Sequence, residues 1–172
     1  MGRAAHIVLV GIPGAGKSTV GRELAARLQW RFVDLDEEIE AREGQSVNEI
    51  FAMRGEAHFR RLERAATERL ALADAPAVVA PGGGWITVPG LVELVRPPAR
   101  LIWLRVSPGR ALERLGQGVE TRPLLSGSDP LASLTAILTS RETYYLQADH
   151  TVSVEMMTPL DAVEHILALA RP

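Results

Sequence analysis

Short apolar, β-branched runs alternate along the chain with longer stretches in which apolar positions recur every three or four residues. Ile7–Val10 contains no polar position and reads as a buried strand. Lys17–Leu28 then places Val20, Leu24 and Leu28 on one face of a helix. Arg31–Asp34 predicts a second strand. Ser46 and Glu49 have the spacing of a capping box, which predicts a helix through Met53 that Gly55 breaks. A longer helix follows to about Ala73, with Phe59, Leu62, Ala66 and Leu70 forming an inward stripe.

The alternation continues to the C-terminus. Ala77–Ala80 is a third strand, closed by Pro81 and the triplet Gly82-Gly83-Gly84. A helix over Pro89–Val95 leads past Pro97-Pro98 to a fourth strand, Leu101–Arg105, and then a helix over Pro108–Leu115. Gly116–Pro130 is rich in Gly, Pro and Ser with little periodicity and reads as a mobile loop. Leu131–Leu146 is helical, Thr151–Val154 a fifth strand, and Pro159–Ala170 a closing helix with proline in its first turn. Strands alternating with helices predict an α/β fold whose parallel sheet is covered on both faces.

Composition narrows this picture by exclusion. Residues 1–172 make one domain by length, and the pattern contains no repeat or linker. A formal net charge of −2 gives nucleic-acid binding no support. The absence of cysteine excludes disulfides, thiolate metal sites and cysteine catalysis. No run approaches the ~20 apolar residues that span a bilayer, and residues 1–6 carry no apolar targeting core. The expectation is a cytoplasmic protein with no membrane partner.

Eighteen of the nineteen basic residues are arginine, and the one lysine is Lys17. It sits in Gly11-Ile12-Pro13-Gly14-Ala15-Gly16-Lys17-Ser18-Thr19, which fits the phosphate-binding pattern G-x-x-x-x-G-K-[ST] between a strand and a helix. A compact ammonium can slip between two phosphates where a planar guanidinium cannot. Backbone N–H groups from Gly14 to Thr19 would surround phosphate oxygens at a helix N-terminus. Lys17 would reach the β- and γ-phosphates, and the Ser18 hydroxyl would join a Mg²⁺ shell. A nucleoside triphosphate site follows.

Four further features bear on its chemistry. Asp34 and Asp36 end the second strand beside the phosphate loop, where alternation would send both to one side. One would meet the metal shell and the other a substrate hydroxyl, unless Asp36 simply caps the next helix. Arg60 and Glu63 lie one turn apart; Glu63 could orient the Arg60 fork, but spacing alone favours a solvated face among Arg61, Arg64 and Arg69. Three glycines after a buried strand suggest close approach of a ligand to the backbone. Arg122, in the mobile segment, could close over a triphosphate and neutralise charge on the transferred group.

Together these segments resemble the shikimate kinases, small members of the nucleoside-monophosphate-kinase-like P-loop group. The resemblance rests on Gly11–Thr19, Asp34-x-Asp36, Phe59-Arg60-Arg61-Leu62-Glu63, Gly82–Gly84, Arg122-Pro123-Leu124-Leu125, and Arg141 ahead of Tyr144-Tyr145. It implies a three-layer α-β-α fold with a five-stranded parallel sheet in the order 2-3-1-4-5 and a lid over about residues 116–130. It also implies ATP-dependent phosphorylation of the shikimate 3-hydroxyl, on the route to chorismate and aromatic amino acids. The sequence is silent on oligomeric state, and a monomer is the default expectation. Matched residue by residue, Asp36 would hold the accepting hydroxyl and Asp34 would support Mg²⁺. Arg60 and Arg141 would clamp the substrate carboxylate, Gly82, Gly83 and Gly84 would line its ring, and Arg122 would be the lid arginine. Lys17, Asp36 and Arg122 would form the catalytic set.

The chain departs from the family pattern near the C-terminus. Met156 and Met157 would give the purine an adaptable apolar wall where the family has a polar turn. Arg114 is the nearest candidate to stack on the base, and Trp85 reads as a core aromatic. A kinase for another small hydroxy acid, of the gluconate type, and a kinase-like sensor without turnover are the competing readings.

Overall fold

The computed structural model describes residues 5–170. Residues 1–4, part of the N-terminal stretch read above as carrying no targeting core, lie outside it.

Five parallel strands form one sheet in the order β2-β3-β1-β4-β5. They are β1 (Ile7–Val10), β2 (Arg31–Asp34), β3 (Ala77–Ala80), β4 (Arg100–Arg105) and β5 (His150–Ser153). Every residue of β1 and β3 is buried. A central parallel strand is covered on both faces, so it needs an uninterrupted apolar run. The edge strands β2 and β5 are more polar. The strand order and the three-layer architecture are as the family resemblance implied.

Eight helices cover the sheet among the described residues: α1 (Lys17–Leu28), α2 (Leu35–Glu43), α3 (Val47–Arg54), α4 (Glu56–Ala71), α5 (Leu91–Val95), α6 (Pro108–Leu115), α7 (Pro130–Tyr145) and α8 (Pro159–Ala170). The Ser46–Glu49 capping box is formed in both directions. Phe59, Ala66 and Leu70 of α4 are buried as the stripe predicts.

Three segments differ from expectation. Helix α2 starts immediately after β2, so Leu35 and Asp36 lie in the helix and strand alternation does not set their direction. Its cap is Asp34, not Asp36: Asp34 Oδ1 accepts from the Asp36 and Glu37 N–H groups at 3.0 and 3.1 Å. The predicted helix at Pro89 begins only at Leu91, because Gly90 takes a left-handed conformation (φ 85°). The segment 116–130 is not wholly irregular, since 3₁₀ turns cover Gly116–Val119 and Pro123–Leu125 and Leu125 is fully buried.

The site lies at the C-terminal ends of the strands. There β1 turns into α1 through the phosphate loop, where Gly14 has φ 84° and a Cβ would collide with the Ala111 carbonyl of α6. Only glycine satisfies both demands.

Candidate active site

A cleft of about 720 Å³ runs over the phosphate loop. Gly14, Ala15, Gly16, Lys17, Ser18 and Thr19 line it, together with Asp34, Asp36 and Arg122. Gly82 and Gly83 belong to the lining, as do Arg114, Val154 and Met157.

Lys17 Nζ donates to the Gly11 and Ile12 carbonyls at 2.7 and 3.1 Å. Burial, and then the charges of Arg122 and Arg141, lower its pKa to about 8, against Asp36 and Asp34. The ammonium is thus held by its own loop, surrounded by positive charge that an incoming polyphosphate would neutralise. Arg122 is exposed, but its charge reaches this lysine.

Asp34 is held at both oxygens. While Oδ1 caps α2, Oδ2 accepts a hydrogen bond from Ser18 Oγ at 3.2 Å. Hydroxyl and carboxylate oxygens side by side at the mouth of a phosphate loop fit a small hard cation such as Mg²⁺. Among the described residues no cluster of three or more Asp, Glu, His or Cys cages a metal. Phosphate and water would therefore complete the shell.

The glycine triplet meets three of the expected substrate residues in turn. A Cβ at Gly82 would lie 2.9 Å from Asp36 Oδ1, at Gly83 2.9 Å from Arg141 Nη1, and at Gly84 2.5 Å from Arg60 Nη2. Asp36 Oδ1 and Arg141 Nη1 are buried with no hydrogen-bond partner among the described residues. Burial, followed by the charges of Asp34 and Glu40, raises the Asp36 pKa to about 6, while Lys17 and Arg60 oppose the rise. A carboxylate and a guanidinium, each with an unused buried polar atom, flank a bare backbone. That arrangement suits a small polyhydroxylated acid.

Glu63 is fully buried, and its Oε2 accepts from Arg60 Nη1 at 2.8 Å. The solvated-face expectation is overturned: α4 turns this pair inward, and Glu63 fixes the Arg60 fork. Burial raises the Glu63 pKa, opposed by the bond to Arg60. Trp85 is a core aromatic as expected, and its Nε1 donates to Thr67 Oγ1 at 3.0 Å, tying the glycine turn to α4.

Elsewhere along the cleft Arg114, the nearest candidate to stack on the base, is part of the lining, and the expectation of a two-methionine wall is corrected. Arg114 donates to the Val154 and Met157 carbonyls and is tied to the wall. Of the two methionines only Met157 lines the cleft, since Met156 is 89% exposed. Sequence reasoning missed Glu40, which lines the cleft one helical turn after Asp36. It named Tyr145 without giving it a role, and that residue is fully buried at the end of the helix that carries Arg141. Bounding α2 would have found the first, and the four-residue spacing from Arg141 singles out the second.

A family model described as Shikimate kinase matches residues 13–171. The chain is 46% identical over 144 residues to the shikimate kinase of Moorella thermoacetica, covering 84% of this chain and 82% of that one. It is 42% identical over 164 residues to the shikimate kinase of Symbiobacterium thermophilum, covering 95% and 92%. Among solved structures it is similar to the shikimate kinase from Acinetobacter baumannii in complex with shikimate, with a TM-score of 0.89, 34% identity, and 96% and 92% of the two chains covered.

Proposed function

The chain belongs to the shikimate kinase family, and from that premise we propose how its own residues divide the work. The protein is an ATP-dependent kinase acting on shikimate. The observation that carries the division is the pairing of Gly82, Gly83 and Gly84 with Asp36, Arg141 and Arg60.

In this reading Arg60, oriented by Glu63, and Arg141 grip the substrate carboxylate through paired charge-assisted hydrogen bonds. The ring lies on the three glycines, and Asp36 receives the hydroxyl to be phosphorylated, the 3-hydroxyl. That oxygen bonds to the γ-phosphorus of ATP as the bond to the β–γ bridging oxygen breaks, and ADP leaves. The hydroxyl proton passes to Asp36, whose pKa near 6 suits a group that accepts and then releases a proton at neutral pH. Lys17 leaves its loop carbonyls for the β- and γ-phosphates, and Arg122 closes over the transferred group. Ser18 and Asp34 would hold Mg²⁺, which supplies charge neutralisation across the phosphates.

No helix among the described residues is long and apolar enough to cross a membrane. A single domain over residues 1–172, a lid over 116–130, a monomeric state, no nucleic-acid partner and a cytoplasmic location complete the proposal.

A coupled ADP-release assay tests it. Purified protein with Mg-ATP should turn over shikimate and ignore gluconate and nucleoside monophosphates. Turnover of gluconate instead would install the rival kinase reading, and binding of shikimate without turnover the sensor reading.

A further inference from the structure

Tyr145 ends α7, four residues after Arg141 and so on the same helix face. Only 1% of it is exposed, and its ring stacks on Trp103 of β4 with centroids 5.4 Å apart and planes 21° apart. The ring therefore cannot turn away. Tyr145 lines a small void together with Gly11, Lys17, Gly82 and Gly83, and the last three of these also line the cleft.

A buried phenol hydroxyl normally finds a partner, because leaving one without forfeits the hydrogen bonds it made to water. Here the Tyr145 hydroxyl and Arg141 Nη1 are both buried, and neither completes a hydrogen bond among the described residues. Burial raises the Tyr145 pKa, and the nearby charge of Arg141 opposes the rise. Arg141 Nη1 stands against Gly83, and Tyr145 lines a void with that same glycine, which makes the two side chains neighbours. Gly83 limits where Arg141 can go, since even a methyl group there would press on Nη1.

We infer that Tyr145 is a positioning residue for Arg141, its hydroxyl accepting from Nη1 when substrate draws the guanidinium into line. A phenol pinned by stacking on one side and a glycine backbone on the other leave the fork a single approach to a carboxylate. A core-filling tyrosine would need neither the hydroxyl nor its place beside Arg141. This role rests on the proposed shikimate site.

Tyr145→Phe keeps the ring and its stack on Trp103. We expect it to raise the shikimate KM about five- to tenfold, with kcat and the ATP KM changed less than twofold. In an Arg141→Ala background the same substitution should change the shikimate KM less than twofold, because the positioned group is gone. An unchanged KM in Tyr145→Phe, or an undiminished effect without Arg141, would overturn the inference.

A second measurement is independent of turnover. In a Tyr144→Phe protein, where Tyr145 is the sole phenol, spectrophotometric titration should show its ionisation move upward on Arg141→Ala. No movement would refute the contact. Wild-type turnover of shikimate separately decides the functional reading on which the KM arm depends.

Discussion

Gly84 and Arg60 approach so closely that a single added carbon would not fit: a Cβ on the glycine would stand 2.5 Å from Arg60 Nη2. The obstructing atom is the tip of a long side chain, so Gly84→Ala should spare the fold and displace the guanidinium. It would also pull Arg60 off Glu63, to which it bonds at 2.8 Å. We predict a rise of about tenfold or more in the shikimate KM, with Tm lowered only a few degrees. Gly118→Ala is the control, because nothing lies within 4 Å of its Cβ position. Steady-state kinetics and thermal melts of both variants decide this.

Arg141 and Lys17 should fail in different parameters. On the proposed roles, Arg141→Ala would remove a substrate clamp, and a hydrogen bond to a charged group contributes about 1.5–3 kcal/mol, so the shikimate KM should rise roughly ten- to a hundredfold. Lys17→Met would remove stabilisation of the phosphates as charge moves, so kcat should fall by about two to three orders of magnitude while the shikimate KM shifts a few-fold. Equal effects of both variants on KM would contradict the assignment of Arg141 to the carboxylate.

Much of this was legible in the chain. The strands could be read because β1 and β3 are covered on both faces and must be uniformly apolar. The phosphate loop was visible because its demands on Gly14 and Lys17 are local. Helix α2 showed only as an unbounded helix with Asp36 as a candidate cap, because it buries only Leu35 and Ile39, too few for an apolar face to show. That gap misassigned the cap and hid Glu40. Glu63 was misread for a different reason: among neighbouring arginines a buried carboxylate and a solvated one look the same until α4 is packed. The pairing of each glycine with one functional side chain depends on three elements meeting, and no spacing within one segment encodes it.

The Asp36 carboxyl makes affinity and stability respond to pH in opposite senses. Its pKa is about 6 in the folded protein against 3.8 without the fold, so the native state favours the protonated form. In the proposed site shikimate would use the ionised form as acceptor, so binding should weaken as pH falls through about 6, measured calorimetrically on nucleotide-free protein. Ionisation is also a burden on the fold, since stability is lost as pH rises from 3.8 through 6. Asp36→Asn should therefore bind shikimate weakly at every pH yet exceed the wild type in stability at pH 7.5. We expect a gain on the order of 1 kcal/mol for a partly screened group. Urea unfolding at pH 4 should show the gain largely gone.

His6 sets an acid limit on the fold from inside the core. Only 2% exposed, it accepts from the Ala77 N–H at Nδ1 (3.1 Å) and donates from Nε2 to the Leu70 carbonyl (3.0 Å), so one neutral tautomer joins the start of β1 to β3 and α4. Protonation would put a second donor on Nδ1, facing the Ala77 N–H. Burial lowers the pKa below 6.5, Arg31 lowers it further, and the Leu70 carbonyl opposes them. With the folded pKa below the unfolded one, the unfolded chain binds the extra proton between the two values. The contribution of His6 is complete above about pH 6.5 and is lost as pH falls toward the folded value. Asp36 pulls the other way over part of the same range, so the raw pH profile mixes the two. The difference between wild type and His6→Asn isolates the histidine. Urea midpoints measured from pH 7.5 to 5 should converge as the wild type loses its advantage. A gap that stays constant over that range would show that the imidazole does not titrate between the folded and unfolded states.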